Sequence, residues 1–263
     1  MQNSRALPDL VVVTGAGRGI GKAIAEEVSK YSFVLCVSKS EKSIEAAASI
    51  RDLSRKAEAL VLDLDDPPSV EAELSRWIAG QSFNRIGIVL AAAVLGPRGP
   101  FVGSELDDWS STFRTNVFGN LAVLHALLPR QIENGFGRIL FFAGGGAAYA
   151  YPNFPAYAAS KAALVRIVEN LHEDLAGKGD FAVSILAPGA VETDTLAVVR
   201  ASGAEVRTTV AIQEPVAFAT EFVLSQSCAF SGRFVHVRDV WKQYLNSDAA
   251  LASKDLWKLR RVE

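Results

Sequence analysis

The chain has 263 residues, of which 49% are hydrophobic and 21% charged, and its formal net charge is −2. This composition is typical of one globular domain, and the absence of a basic excess argues against a nucleic-acid partner. The opening MQNSRALPDL contains no apolar run of signal-peptide length, and no stretch reaches the roughly 20 apolar residues that cross a bilayer. We therefore expect a cytoplasmic protein without a membrane partner.

Short apolar runs alternate with longer amphipathic ones along the chain. The predicted strands are LVVVTG, FVLCVS, EALVLD, IGIVLAAA, GRILFFAG, FAVSILAPG and GRFVHV. The predicted helices are GIGKAIAEEVSKY, EKSIEAAASIRDLSR, PSVEAELSRWIAG, DDWSSTFRTNVFGNLAVLHALLPRQIEN and PAYAASKAALVRIVENLHEDLAGKG. This alternation predicts a single α/β domain over residues 1–263, with a doubly wound, seven-stranded parallel sheet and helices on both faces. Such a sheet binds its ligand beyond the carboxyl ends of the strands.

Two segments fit the alternation less well. Residues 189–212 have weak periodicity and several turn residues, so we expect a mobile substrate lobe over the site. Residues 239–263 are predicted to form a polar C-terminal tail with no assigned element.

A glycine motif, TGAGRGIG at residues 14–21, lies between the first strand and the first helix. Gly15 permits a tight turn, Gly19 lets the backbone approach a pyrophosphate, and Gly21 allows close packing of helix on strand. The free N–H groups of the helix start would bind the phosphates. The motif therefore predicts a dinucleotide site, with a purely structural turn as the alternative.

The end of the second strand indicates which dinucleotide is bound. An acidic residue there would bind the ribose hydroxyls of NAD, whereas a cation would attract the 2′-phosphate of NADP. The sequence has Ser38 and Lys39 at this point, and Arg18 in the glycine motif adds a second cation. We predict NADP(H), with NAD(H) as the less favoured cofactor and a solvated loop as the alternative role of Lys39.

Several motifs recur in an order that resembles the short-chain dehydrogenase/reductase family, over nearly the full length. They are TGxxxGxG, the aspartate of VLDLDD, the segment DDWSSTFRTNVFGN, the pair YAASK and the PGxxxT of APGAVET. The resemblance implies a Rossmann fold of the compact single-domain type. It also implies a homodimer or homotetramer, with the long helices around Asn116 and Lys161 packed across two-fold axes.

The resemblance further implies roles for individual residues. Asp63 would lie near the adenine and Thr193 near the nicotinamide amide or the pyrophosphate. Asn116 would hold a water that relays protons to Lys161, and Tyr157 would exchange the proton with the substrate. The full set of implied cofactor contacts is Gly15, Arg18, Gly19, Ile20, Gly21, Ser38, Lys39, Asp63, Leu64, Ala91, Ala92, Tyr157, Lys161, Pro188, Gly189, Val191 and Thr193.

The chain departs from the family pattern in two places. The segment LAAAVLG stands where the family has an NNAG-like turn, although alanines can still supply backbone contacts. Gly144 stands thirteen positions before Tyr157, where the family has a serine whose hydroxyl binds the substrate oxygen. We expect a backbone amide, or the side chain of Tyr149, Tyr151 or Asn153, to replace that donor.

Proton chemistry also follows from the residues themselves. A tyrosine has an ordinary pKa of about 10, so it exchanges a proton at neutral pH only when positive charge stabilises its phenolate. Lys161 lies four residues after Tyr157, on the same face of a helix. The alternative to a catalytic role is that Tyr157 is only an aromatic residue at the start of a helix and Lys161 a solvated lysine. For Asn116 the alternative is that it only marks a kink in its helix.

Other reactive residue types are expected to be structural. His125, His172 and His236 lack zinc-ligand spacing, and Cys36 and Cys228 lack the spacing of a metal or redox motif, so no metal site is predicted.

Three arginines, Arg98, Arg200 and Arg207, could meet an anionic group on a substrate, although a solvated surface is the expected role.

Together these features predict an NADP(H)-dependent oxidoreductase that interconverts a small-molecule carbonyl compound and a secondary alcohol, with Tyr157 as proton donor and acceptor. Two alternatives remain open. One is a catalytically impaired NADP(H)-binding sensor or assembly protein, and the other is a redox-neutral epimerase or dehydratase.

Overall fold

A parallel sheet of seven strands forms the centre of the molecule. The structure, a computed structural model, describes residues 7–203, 206, 208–225, 229–244 and 255–260. The strands are β1 (Leu10–Thr14), β2 (Phe33–Ser38), β3 (Ala57–Val61), β4 (Ile86–Leu90), β5 (Phe136–Phe142), β6 (Asp180–Ala187) and β7 (Arg233–His236). Their order is β3-β2-β1-β4-β5-β6-β7, and every neighbouring pair is parallel. All seven predicted strands are confirmed.

Helices cover both faces of this sheet. They are α1 (Gly19–Val28), α2 (Lys42–Asp52), α3 (Pro67–Ala79), α4 (Leu106–Phe113), α5 (Gly119–Glu133), α6 (Pro155–Asp174), α7 (Asp194–Ala201) and α8 (Gln213–Leu224). Strand residues such as Val11 and Val13 pack with α1, α2 and α8, whereas their neighbours Leu10 and Val12 pack with α3, α5 and α6. Because the central strands β1 and β4 are buried at every position, they consist almost wholly of apolar residues, whereas the edge strands β3 and β7 are only partly buried. The doubly wound Rossmann architecture is confirmed.

The structure differs from the sequence prediction in three places. Helix α7 lies inside the segment expected to be an irregular lobe, and α8 follows it where no helix was predicted. The predicted helix that contains Asn116 is interrupted by a π-helical turn at Arg114–Phe118, between α4 and α5. The supposed polar tail contributes Trp241, which is fully buried and meets Phe218 edge to face.

Two predictions concern residues outside the described ranges, namely those for Cys228 and Arg207. Cys36 is buried in β2 as a free thiol. None of the helices in the described ranges is long and apolar enough to cross a membrane.

Candidate active site

The glycine motif forms a tight turn between β1 and α1, at the carboxyl edge of the sheet. Gly15 has φ +69°, and a side chain there would come within 3.0 Å of the Ala92 backbone after β4. A side chain at Gly21 would overlap the Gly15 carbonyl. The Thr14 hydroxyl accepts a hydrogen bond from Ala92 N at 3.1 Å, which ties the two strand ends together. The turn, which we call the cradle, is thus packed closely against the segment after β4 and the start of α1, and only glycine fits at these two positions.

Helix α1 offers its N-terminus to this cradle. It begins at Gly19, which has φ +54°, and the preceding Arg18 makes no side-chain cap. First-turn N–H groups without a capping side chain can donate to an anion, and the helix dipole favours negative charge there. The turn therefore fits the pyrophosphate of a dinucleotide.

Arg18 connects the glycine turn to the segment after β6. Its Nη1 atom lies 3.0 Å from Asp194 Oδ2 at the start of α7, and both side chains are mostly exposed. The sequence placed Arg18 at the expected turn but gave no sign of this partner, which lies 176 positions away. Because an exposed ion pair contributes at most about 1 kcal/mol, a phosphate group can compete for the guanidinium.

A cavity of about 330 Å³ lies beyond the ends of β2, β3 and β4. Lys39 and Asp63 both line it, together with Asp65 and Asp108. Arg114 donates to Asp65 Oδ1 at 3.0 Å and partly neutralises this acidic wall. The remaining lining residues are Val94, Gly96, Pro97, Ser111, Thr112 and Thr115.

Several other residues that were predicted to contact the cofactor are engaged in hydrogen bonds or packing within the protein. The Ser38 hydroxyl donates to the Ser40 carbonyl at 2.8 Å. Leu64 is buried in the core on one face of the sheet, and Ile20 packs against the core on the other. Ala91 and Ala92 follow β4 directly and are half-buried.

The segment after β6 is anchored to the rest of the fold. Gly189, which follows Pro188, has φ +72° and packs against Val210, and Val191 pairs with Val210 in an isolated parallel bridge. Thr193 caps α7, because its hydroxyl accepts from Leu196 N at 3.4 Å. The Thr193 methyl group lies near Gly19 of the glycine turn, because a Cβ atom added at Gly19 would be 3.5 Å from Thr193 Cγ2.

Asn116 is fully buried in the π-helical turn, and its side chain is completely engaged. Its Oδ1 accepts from Val94 N at 2.8 Å, and its Nδ2 donates to Val94 O at 2.9 Å and to Ser160 Oγ at 3.0 Å. Ser160 in turn donates to the Tyr157 carbonyl at 2.7 Å. Asn116 thereby ties the segment after β4 to the first turn of α6. The proton relay through Asn116 stays a prediction.

Tyr157 and Lys161 lie on one face of α6, as predicted. Lys161 Nζ lies 5.6 Å from the centre of the Tyr157 ring and donates to the Phe142 carbonyl at 2.7 Å. The lysine is only 1% exposed, and burial lowers the pKa of its ammonium from 10.5 to about 7. Burial, helped by the nearby Tyr151 phenol, raises the pKa of Tyr157 above its ordinary value of 10.0. Tyr157 is therefore protonated at neutral pH and able to donate.

Gly144 lies directly beneath the Tyr157 phenol. A methyl group at this position would lie 2.8 Å from ring carbons Cε1 and Cζ and would overlap the hydroxyl oxygen. The backbone at Gly144 is extended, with φ −164°, so the constraint comes from the phenol and not from the backbone. The Tyr157 hydroxyl thus occupies space that any side chain at position 144 would need.

Tyr149, Tyr151 and Asn153, the side chains proposed to replace the serine donor, differ in their distance from Tyr157 and in their exposure. The Tyr151 ring packs 6.5 Å from the Tyr157 ring, centre to centre. Tyr149 is 79% exposed, whereas Asn153 is half-buried and its carbonyl accepts from Gly99 N at 2.9 Å. Tyr151 is therefore the one whose ring contacts that of Tyr157.

The structure brings Asn116, Tyr157 and Lys161 together at the base of α6, beside Gly144. Sequence reasoning missed Ser160, which links Asn116 to the Tyr157 backbone, and Asp194, the partner of Arg18. The position of Ser160, directly before the lysine of YAASK, was the only sequence signal that could have indicated its role.

Comparison with known proteins adds to this geometry. The model of the short chain dehydrogenase family matches residues 9–203. Sulfoacetaldehyde reductase 2 of Chromohalobacter salexigens is 33% identical over 193 residues, which cover 72% of this chain and 75% of that protein. The 3-oxoacyl-(acyl-carrier-protein) reductase FabG of Salmonella typhimurium is 28% identical over 240 residues, which cover 87% of this chain and 95% of that one.

A solved structure extends the similarity to three dimensions. It is that of a candidate NAD(P)-dependent gluconate 5-dehydrogenase of Beutenbergia cavernae, with NADP bound at low occupancy. The two chains are 28% identical with a TM-score of 0.82, over 90% of this chain and 98% of that one.

Proposed function

The chain belongs to the short-chain dehydrogenase family and is an oxidoreductase, and from this premise we propose that it interconverts a carbonyl compound and a secondary alcohol with NADP(H). The observation that carries the proposal is the placement of Tyr157 and the buried Lys161 on one face of α6, with Lys161 Nζ 5.6 Å from the centre of the Tyr157 ring. Both relatives described above are named as reductases, one of an aldehyde and one of a 3-oxoacyl group.

Tyr157 supplies the proton in this reaction. A phenol whose pKa is raised by burial holds its proton at neutral pH and can donate it to a carbonyl oxygen as negative charge develops there. In its protonated form Lys161, whose Nζ lies 5.6 Å from the centre of the ring, would then stabilise the phenolate that remains. In the direction of alcohol oxidation the phenolate form of Tyr157 would accept the proton.

The cofactor is NADP(H). Gly15, Gly19 and Gly21 would hold its pyrophosphate, and Arg18 and Lys39 would meet its 2′-phosphate. When bound, it supplies or accepts the hydride. The related structure with bound NADP supports this choice.

A second donor to the substrate oxygen is Tyr151. Where the family has a serine hydroxyl this chain has Gly144, and the Tyr151 ring packs against that of Tyr157. A preorganised donor of this kind contributes about 10²–10³ in rate. We expect Tyr151→Phe to lower kcat by that factor and to leave NADPH binding unchanged, whereas Tyr149→Phe, at an exposed position, should change neither.

We propose that the segment 189–212 forms the substrate lobe. This lobe would lie over the nicotinamide and the carbonyl group, with α7 as its rigid part and the Arg18–Asp194 pair as its contact with the glycine turn.

The experiment is a screen of NADPH oxidation over aldehydes and ketones of different size and charge, with NADPH binding followed in parallel. Turnover of a carbonyl compound supports the proposal. Tight NADPH binding without turnover of any carbonyl compound would contradict it and would favour the cofactor-binding sensor.

A further inference from the structure

We infer that Ser160 is a positioning residue for the carbonyl reduction, an inference that rests on the proposed function of Tyr157. Ser160 lies on α6 directly before Lys161, and its side chain is fully buried. Its hydroxyl donates to the Tyr157 carbonyl at 2.7 Å and accepts from Asn116 Nδ2 at 3.0 Å. Because a hydroxyl has a single hydrogen to donate, this one is committed to the protein, and Ser160 acts through Tyr157 rather than on a substrate.

The carbonyl that accepts this hydrogen bond belongs to the helical turn that carries both reactive groups. In an α-helix the carbonyl of one residue also accepts from the N–H four positions later, so the Tyr157 carbonyl is the backbone partner of Lys161. The Ser160 hydroxyl therefore binds the stretch of backbone to which the phenol and the ammonium are both attached. A shift of this turn moves both groups relative to a bound substrate.

Asn116 is the fixed point against which Ser160 holds this turn. Its Oδ1 accepts from Val94 N at 2.8 Å and its Nδ2 donates to Val94 O at 2.9 Å, so the amide is clamped to the segment after β4. Asn120 Nδ2 also donates to the Asn116 carbonyl at 2.8 Å. The bonds to Val94 O and to Ser160 use both hydrogens of Nδ2. Without the Ser160 hydroxyl, one of these hydrogens loses its partner and the turn loses its link to Asn116.

A positioning role and a purely structural role of Ser160 predict different kinetics. If the hydroxyl only stabilises α6, its loss lowers the stability of the protein, and the folded fraction keeps the kcat of the parent. If it places the phenol, its loss lowers kcat itself, because a misplacement of 1 Å costs about 10²-fold in rate. We expect Ser160→Ala to lower kcat by about 10- to 10²-fold. The KM for the best carbonyl compound of the screen and the affinity for NADPH should be nearly unchanged.

Two further variants serve as matched controls, with activity expressed per NADPH-binding site so that unfolded protein does not count. Ser184 is also fully buried, and its hydroxyl donates to the Arg233 carbonyl at 3.0 Å, between β6 and β7. Ser184→Ala therefore removes a comparable hydrogen bond outside the site and should leave kcat unchanged. Ser160→Thr keeps a hydroxyl that can bond back to a helix carbonyl and should recover most of the kcat of the parent.

Crystal structures of the NADPH complexes test the placement of the phenol without turnover. Relative to the parent, the Tyr157 hydroxyl should be displaced in Ser160→Ala and unmoved in Ser184→Ala. An unchanged kcat in Ser160→Ala, an equal loss in Ser184→Ala, or an equal loss of NADPH affinity would overturn the inference and leave the proposed function intact. If the parent reduced no carbonyl compound, the proposed function would fail by itself. A displaced phenol would then still support the positioning role, and an undisplaced one would overturn it.

Discussion

Replacing Lys161 with methionine should stabilise the protein in a pH-dependent way. Methionine keeps most of the side-chain volume but carries no charge to bury. In the parent, the pKa of Lys161 falls from 10.5 to about 7 on burial, so the folded state binds fewer protons than the unfolded chain between these values. Below about pH 7 both states are protonated and the full cost of burial is present. The cost falls as the pH rises toward 10.5.

The size of the effect follows from the two pKa values. Linkage gives a burial cost of roughly 5 kcal/mol at pH 6 and roughly 2 kcal/mol at pH 9. The difference in free energy of unfolding between Lys161→Met and the parent should therefore decrease by roughly 2–3 kcal/mol across this range. The lost bond to the Phe142 carbonyl shifts both values by a similar amount and largely cancels.

Denaturant unfolding at pH 6 and pH 9 measures this difference. Lys178→Met is the control, because an exposed lysine carries no burial cost and its effect should not depend on pH. If Lys161→Met showed the same pH-independent difference as the control, Lys161 would keep its charge in the folded protein across this range. The argument from burial would then be refuted.

Three further predictions concern cofactor, site and assembly. NADPH should bind more tightly than NADH by calorimetry, and Lys39→Asp should remove that preference; equal affinity of the parent for both cofactors would contradict the assignment. Gly144→Ala should lower kcat about 10²-fold by displacing the Tyr157 phenol, whereas Gly145→Ala, where a side chain meets open space, should not; equal activity of the two variants would contradict the overlap. Light scattering should show that the protein is a dimer or a tetramer. The variant Phe118→Glu, at a 53% exposed position beside α5, should shift the equilibrium toward the monomer. A parent protein that is monomeric at micromolar concentration would contradict this prediction.

The sheet could be predicted because its strands are recognisable in the sequence as short apolar runs. In a doubly wound fold every central strand is covered on both faces, so each appears as an apolar run bounded by turn residues. Helix α8 is also covered, by the sheet and α1, and its segment QEPVAFATEFVL is too apolar to show a helical stripe. Helix α7 is short, and its signal is the Thr193 cap, which also belongs to the PGxxxT motif.

The site was predictable in its residue types and less so in its contacts. Tyr157 and Lys161 lie on the same helix, so their spacing fixes their geometry. The pairing of Arg18 with Asp194 joins segments far apart in the chain, and the buried cluster of Phe154, Leu196 and Val199 is likewise assembled from separate segments. The overlap between Gly144 and the Tyr157 phenol depends on a single side-chain orientation, for which the sequence carries no signal.

The most direct test of the account compares the parent with Tyr157→Phe. The measurement is NADPH oxidation with the best ketone from the screen, together with NADPH affinity by calorimetry. Loss of the phenolic proton should abolish turnover and leave NADPH affinity nearly unchanged, because the ring remains in place. Tyr149→Phe should behave as the parent, since Tyr149 is exposed. Turnover by Tyr157→Phe at the parent's rate would show that the proton comes from another group and would contradict the central claim.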